Sequence, residues 1–283
     1  MRLMIPPAPS MQLILLAGYL GLAAAAYAEC TGPLALMSKL RAQPTSENAV
    51  QLGNWFASNQ QFECAVETFR SAEKTDPGSA QLHYLEGLAL AGSGHPGEAV
   101  PAVQEAARLQ PDAIKPHLLL ATIYNQSGKY EEADKQWRQA LKIDPKSEIA
   151  LEGQSSSLLA RKDDVGVIGV LQHAPRTETL TLPLAEALEN LNYLDGANDV
   201  LLEAMRLSPN SLPLANAESA ILMKKRSYLE AVKLWSYMVE HHPGNREAEL
   251  HYLSILVMTQ HYALARPLGL KLLSQMPHNW EVL

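Results

Sequence analysis

The sequence predicts an all-α fold, an α-solenoid of about seven repeated helix-turn-helix units. Three observations carry this expectation. Pro77, Pro111, Pro145, Pro175, Pro209, Pro243 and Pro277 follow one another at intervals of 34, 34, 30, 34, 34 and 34 residues. Between them, small and bulky apolar residues recur at fixed offsets. The composition is 47% hydrophobic but only 6% aromatic, and it is rich in Ala and Leu, which favours closely packed helices over a β-sandwich.

The chain opens with Arg2 as its only early positive charge, followed by the apolar run Met11 to Ala26, and Ala26-Tyr27-Ala28 has the small-x-small pattern of a cleavage site. Residues 1–28 are therefore expected to be an export signal cleaved after Ala28. A retained membrane anchor is the other reading, but the run is short against the roughly 20 apolar residues of a span and no basic cluster follows it. Glu29 stands where a lipoprotein signal beside Cys30 would need a small residue. Removing the signal leaves 22 basic and 30 acidic residues, a net charge of −8. That balance supplies no footprint for nucleic acid or for an anionic lipid surface.

Residues 29–45 are expected to form a leading helix, ended by Pro44 as the later prolines end theirs. The first full unit shows how a pair is written. Ala49, Leu52, Gly53 and Phe56 are spaced i, i+3, i+4, i+7, one stripe of a helix, and Ala65, Phe69 and Ala72 mark a second. The polar "SNQQ" between them is a short turn, and Asp76-Pro77 ends the pair. Such stripes are too narrow to be hidden within two helices. The same small and large slots return at Gly87, Leu90, Ala99, Val103 and Ala106; at Ala121, Tyr124, Ala133, Trp137 and Ala140; at Ala185, Leu188, Ala197, Leu201 and Ala204; and at Ala231, Trp235 and Met238. Small residues let helices approach while large ones fill the neighbouring hole.

This pattern strongly resembles the tetratricopeptide repeat, whose 34-residue unit carries the same slots and a closing proline. The resemblance covers about five sixths of the chain. It implies units one to three over residues 46–147, a shortened irregular unit over 148–177, units five to seven over 178–279, and the start of a possible further helix at 280–283. It also implies a right-handed superhelix whose concave face is lined by the first helix of each unit. The fourth unit is four residues short, and its "VGVIGVL" is rich in β-branched residues and Gly; a shortened helix is expected there, with a strand as the alternative. An irregularity near Gly166 and Gly169 would separate units one to three from units five to seven. "HNWEVL" is expected to begin another first helix rather than a polar cap, so either the repeat array ends here or the sequence is the front part of a longer chain.

No catalytic, cofactor or metal pattern is apparent in the nine scattered histidines, and the expectation is a non-enzyme without cofactor. His83 and His117 share one slot of adjacent units and read as packing residues, a metal site being the less favoured alternative. His241 and His242 complement a helix end. Gly94 and Gly128 serve helix-helix turns. Trp137 and Trp235 fill core slots of second helices.

Binding remains. Projected from the repeat register, the groove stripe includes Asn54, Tyr84, Leu88, Lys115, Leu118, Thr122, Asn125 and Gln126, continued by Glu186, Glu189 and Asn190, by Asn216 and Lys224, and by Leu250, Ser254 and Met258. Its amides and apolar spots suit an extended or helical peptide. The family's carboxylate-gripping subtype is mostly missing: Asn54 and Lys115 match, but Val50, Leu85 and Leu119 replace its other polar members. The expected function is a protein-interaction scaffold of the cell envelope, periplasmic or secreted, with a protein or peptide partner and no nucleic acid. The alternative is the partner-docking part of a larger enzyme, secretion or polysaccharide-assembly component. Export permits oxidation, so Cys30 and Cys64, the only cysteines, are expected to pair. Two free thiols, with Cys64 buried as a small apolar residue, are the alternative.

Overall fold

The computed structural model describes residues 30–275. Residues 1–28, expected to be an export signal, and Pro277 and Trp280 to Leu283 lie outside them. Among the described residues there are fifteen helices and no strand: α1 (Leu34–Ala42), α2 (Ser46–Ser58), α3 (Phe62–Glu73), α4 (Ala80–Gly92), α5 (Pro96–Leu109), α6 (Ile114–Gln126), α7 (Tyr130–Ile143), α8 (Glu148–Ala160), α9 (Asp164–Leu171), α10 (Glu178–Asn190), α11 (Leu194–Leu207), α12 (Leu212–Lys224), α13 (Tyr228–His241), α14 (Arg246–Met258) and α15 (Tyr262–Gln275). The chain divides into two compact units, residues 1–106 and 107–283. In each, consecutive helices pack as neighbours.

Local chemistry starts and stops these helices at regular intervals. Thr45, Ser79, Ser147, Ser211 and Asn245 cap first helices, each side chain accepting from the backbone N–H three residues on. The turn within each pair holds one residue in the left-handed region: Gln60, Gly94, Gly128, Lys162, Asn192, Arg226 and Gln260. The next N–H then donates to a carbonyl in the last turn of the first helix, as Gln61 does to Phe56, His95 to Leu90 and Asp163 to Leu158. Only two of these seven positions are Gly, so the turn geometry is imposed by the fold as much as by residue preference.

The repeated apolar slots form the core. Within residues 30–106, Ala49, Phe56, Ala65, Phe69, Ala99 and Val103 are buried. Gly53 explains itself here: a Cβ on it would lie 2.3 Å from the Phe69 ring, so the ring packs directly on the α2 backbone. Within residues 107–275, Trp137 packs with Ala121, Ala133, Ala140 and Ala150, and Trp235 with Ala231, Met238, Ala248 and Leu256. Tyr124 and Leu188 are half-buried rather than fully enclosed.

The shortened fourth pair is helical. Helix α9 has eight residues, and Asp163 caps it by accepting from the Gly166 N–H. It does not interrupt the packing as expected. Val167 and Leu171 are fully buried in one cluster with Leu151 and Leu158 of α8 and Leu180 and Leu184 of α10. The missing last turn is replaced by a side chain. Arg176 donates from Nη1 to the Leu171 and Ala174 carbonyls at 3.2 and 2.9 Å, and from Nη2 to the Gln172 carbonyl at 2.8 Å. Its Nε bonds Glu203 at 3.0 Å. One guanidinium thereby satisfies carbonyls that a longer helix would have bonded itself.

Helix α1 buries no residue of its own. The structure ties the chain ahead of it to α3 through a Cys30–Cys64 disulfide, with the Cα atoms 5.5 Å apart. Cys30 precedes α1 and so escapes the roughly 10 Å spacing between packed helix axes.

Candidate functional site

First helices of neighbouring pairs touch one another, α2 with α4 in one unit and α6 with α8, α8 with α10 and α10 with α12 in the other. Each unit therefore presents a face made of first helices. In residues 30–106 this face carries Asn54 and Leu88, both exposed, and Tyr84, half-buried, whose hydroxyl is held above its ordinary pKa by burial. Val50 and Leu85 are half-buried.

In residues 107–275 the projected residues separate into two groups. Lys115 and Gln126 are exposed on α6. Leu118 instead packs against the Trp137 cluster, and the Thr122 hydroxyl donates to the Leu118 carbonyl of its own helix. Asn125 is structural as well as half-buried: its Oδ1 accepts from Ser157 Oγ of α8 at 3.1 Å, and that hydroxyl accepts from Trp137 Nε1 at 3.2 Å. Leu119 is half-buried.

Farther along, Glu186, Asn190 and Asn216 are exposed. Asn190 donates to Asp164 at 3.0 Å, and Glu189 is ion-paired with Lys224. Leu250 packs against the Trp235 cluster, while Ser254 and Met258 are exposed. Glu152 and Ser156 are also exposed on α8. They fall in the shortened fourth unit, whose register is not evident from the proline spacing. Helix α8 keeps the full 13-residue length of a first helix, and the deletion falls entirely in and after α9.

A separate polar cluster lies between α3 and α4. His83 Nε2 is 3.1 Å from the Pro77 carbonyl, its Nδ1 is 3.3 Å from Glu73 Oε1, and Glu86 accepts from Arg70 Nε at 2.5 Å. Arg70 also reaches Glu98 at 3.4 Å. Burial, then the Glu86 carboxylate, pushes the Glu73 carboxyl up to about 7, against smaller opposing effects of His83 and Arg70. His117, in the corresponding slot of the next pair, bonds Gln136 at 2.9 Å. His241 bonds the Tyr237 carbonyl one turn back at 2.9 Å, and His242 bonds the Asn210 carbonyl at 2.8 Å. Among the described residues, no helix is long and apolar enough to cross a membrane.

Residues 50–114 and 90–154 each match a tetratricopeptide repeat family. No curated protein matches the chain in sequence. Among solved structures, the C-terminal part of a TPR repeat-containing protein from Cytophaga hutchinsonii superposes with a TM-score of 0.66 at 12% identity, over 81% of this chain and 96% of that one. PilW, described as a widely conserved type IV pilus biogenesis factor, gives 0.51 at 15% identity over 72% and 96%. YrrB, described as a TPR protein with an unusual peptide-binding site, gives 0.51 at 14% identity over 65% and 96%. At these identities the likeness is one of fold.

Proposed function

Because the chain is a tetratricopeptide-repeat protein, we propose that it is a non-catalytic interaction scaffold of the cell envelope that holds a peptide segment or partner protein against the face of its first helices. One arrangement carries this reading. Helices α6, α8, α10 and α12 lie side by side within residues 107–275 and expose Lys115, Gln126, Glu152, Ser156, Glu186 and Asn216. Amide groups offer both donors and acceptors to a partner's backbone, and the charged groups select among its side chains. The peptide-binding site named for YrrB and the pilus role named for PilW give the reading precedent within the fold. The envelope assignment rests on the apolar run and the Ala26-Tyr27-Ala28 site.

Site-specific photo-crosslinking tests the face. A crosslinker placed at Gln126, Glu186 or Asn216 on first helices is expected to give partner adducts, and one at Gln139 or Lys233, exposed on second helices, is not. Equal adducts from both sets, or adducts from the second set alone, would remove the first-helix face as the binding surface. N-terminal sequencing of the protein from fractionated cells tests export: the expected product begins at Glu29 and is found in the envelope fraction. A cytoplasmic product that keeps Arg2 would refute export.

A further inference from the structure

We propose that Glu73, His83 and Glu86 form a binding site for a single divalent transition-metal ion of the zinc type. One ligand atom from each residue lies within 4.8 Å of the others, a spacing that one ion can span. Two of the three come from α4 and one from the end of α3, helices packed against each other, so the constellation is set by the fold.

The orientation of the imidazole is the first argument. A carbonyl can only accept, so the contact from Nε2 to the Pro77 carbonyl places a hydrogen on Nε2. That fixes the tautomer in the way a backbone carbonyl fixes metal-binding histidines, and it turns the Nδ1 lone pair toward the carboxylates. Glu73 Oε1 is the second argument. It faces Nδ1 at 3.3 Å and is buried without a hydrogen-bond partner among the described residues. Two acceptors held face to face require something positive between them, either a proton or a cation.

The repeat register is the third argument. The slot of Glu86 holds Leu52, Leu120 and Leu184 in three other pairs and Gln154 and Glu218 in two more, so it is the joining of Glu86 with Glu73 and His83 that sets this pair apart. The counterparts of Glu73 and Glu86 around His117 are Ala107 and Leu120, so packing alone places no carboxylate at those positions in the next pair. Arg70 offsets the charge of Glu86, and a dication would offset the remainder. One imidazole nitrogen with carboxylate oxygens selects zinc-like ions over calcium or magnesium, which prefer all-oxygen cages. Three protein ligands leave a fourth position for water. The Glu73 and His83 side chains are each 15% exposed, which gives an ion its approach.

Calorimetric titration of the purified chain with zinc chloride at pH 7.5 tests the site, alongside His83→Gln, Glu73→Gln and a surface control, His242→Gln. The unaltered chain and the control are expected to bind one more tight equivalent than either site variant, with affinity for that equivalent falling at least tenfold in the variants. A second measurement needs no substitution: adding zinc to the 15N-labelled chain is expected to shift His83 Nδ1 as a metal-bound nitrogen while Nε2 keeps its hydrogen. Site variants that remain helical by circular dichroism yet bind zinc as the unaltered chain does would overturn the proposal. So would an unmoved His83 Nδ1 signal at saturating zinc, which would leave a shared proton as the occupant.

Discussion

In the pair α2 and α3, the second helix has twelve residues, and the Phe69 ring packs directly against the backbone at Gly53. In the pair α8 and α9, the second helix has eight residues, and Gly169 has nothing within 4 Å of where a Cβ would stand. The regular pair is sealed by an aromatic ring and the short pair by a guanidinium, since Arg176 gathers the carbonyls of Leu171, Gln172 and Ala174. Both pairs nevertheless bury a continuous apolar face. The difference teaches that a repeat unit of this kind tolerates the loss of a helical turn when two conditions hold. The residues facing the next pair, here Val167 and Leu171, must remain, and the exposed carbonyl ends must find donors.

The largest way to break this comparison is at the two glycines. Gly53→Leu forces a side chain into space that the Phe69 ring occupies and is expected to destabilise by about 3 kcal/mol or more. Gly169→Ala meets open space on a helix and is expected to stabilise by about 0.5 to 1 kcal/mol through helix propensity. Chemical denaturation followed by circular dichroism reads both. Equal midpoints for the two variants would show that the aromatic seal is not what closes the regular pair.

A second test compares one buried slot in two pairs. Gln154 of α8 is a neutral amide whose Nε2 donates to Asp134 at 2.7 Å. Its counterpart in α12, Glu218, is 2% exposed, its Oε2 has no partner among the described residues, and burial pushes its pKa up to about 7, with Lys225 opposing and Asp199 adding to the shift. Its unperturbed value is 4.5. The folded state therefore holds the proton more tightly than the unfolded state. The resulting stability is fully present below about pH 4.5 and is lost as pH rises through 7, by about 3 kcal/mol in all. Glu218→Gln is expected to match the parent near pH 4 and to exceed it at pH 8. Glu73, also raised to about 7, leaves part of the slope in the variant. A parent and variant with superimposable stability-pH curves would show that Glu218 ionises as freely in the fold as outside it.

Arg176 gives a smaller effect. Arg176→Ala is expected to cost about 2 kcal/mol by releasing charge-assisted hydrogen bonds, and Arg176→Lys to restore little of it, because an ammonium cannot reproduce the planar fork that reaches separate carbonyls. Amide exchange in α9 should accelerate more than in α3. If exchange rises equally in both helices, the guanidinium is not a local cap.

What the sequence made legible follows from what repeats. The prolines and the small and bulky apolar slots recur at 34 residues in every unit but the shortened fourth, so the helix pairs and their buried faces are legible in the sequence. The groove stripe was read by projection, and projection does not see partners: Asn125 is drawn into a bond with Ser157 thirty-two residues away, and Leu118 into the Trp137 cluster. Arg176 was invisible for a related reason, since its role exists only where three carbonyls converge. In the polar cluster at His83 only the recurrence of a histidine is legible in the sequence, because Glu73 and Glu86 come from different helices thirteen residues apart and meet only in the fold.

The smallest test concerns the turns. Gly128 and Lys162 hold the same place in successive pairs, with φ of 71° and 58°. A side chain in the left-handed region carries a steric cost of about 1 kcal/mol, which glycine avoids, although glycine also gains freedom in the unfolded chain. Lys162→Gly is therefore expected to stabilise by at most about 1 kcal/mol, whereas Gly128→Lys should destabilise by a similar amount. The reciprocal pair isolates the backbone contribution, because Gly128 has nothing within 4 Å of its Cβ position and Lys162 is exposed. Thermal melts of the two variants should move in opposite directions. If both move downward, the lysine side chain contributes something to the short pair beyond its backbone angle, and the turn between α8 and α9 would then join Arg176 as a specific adaptation to the missing helical turn.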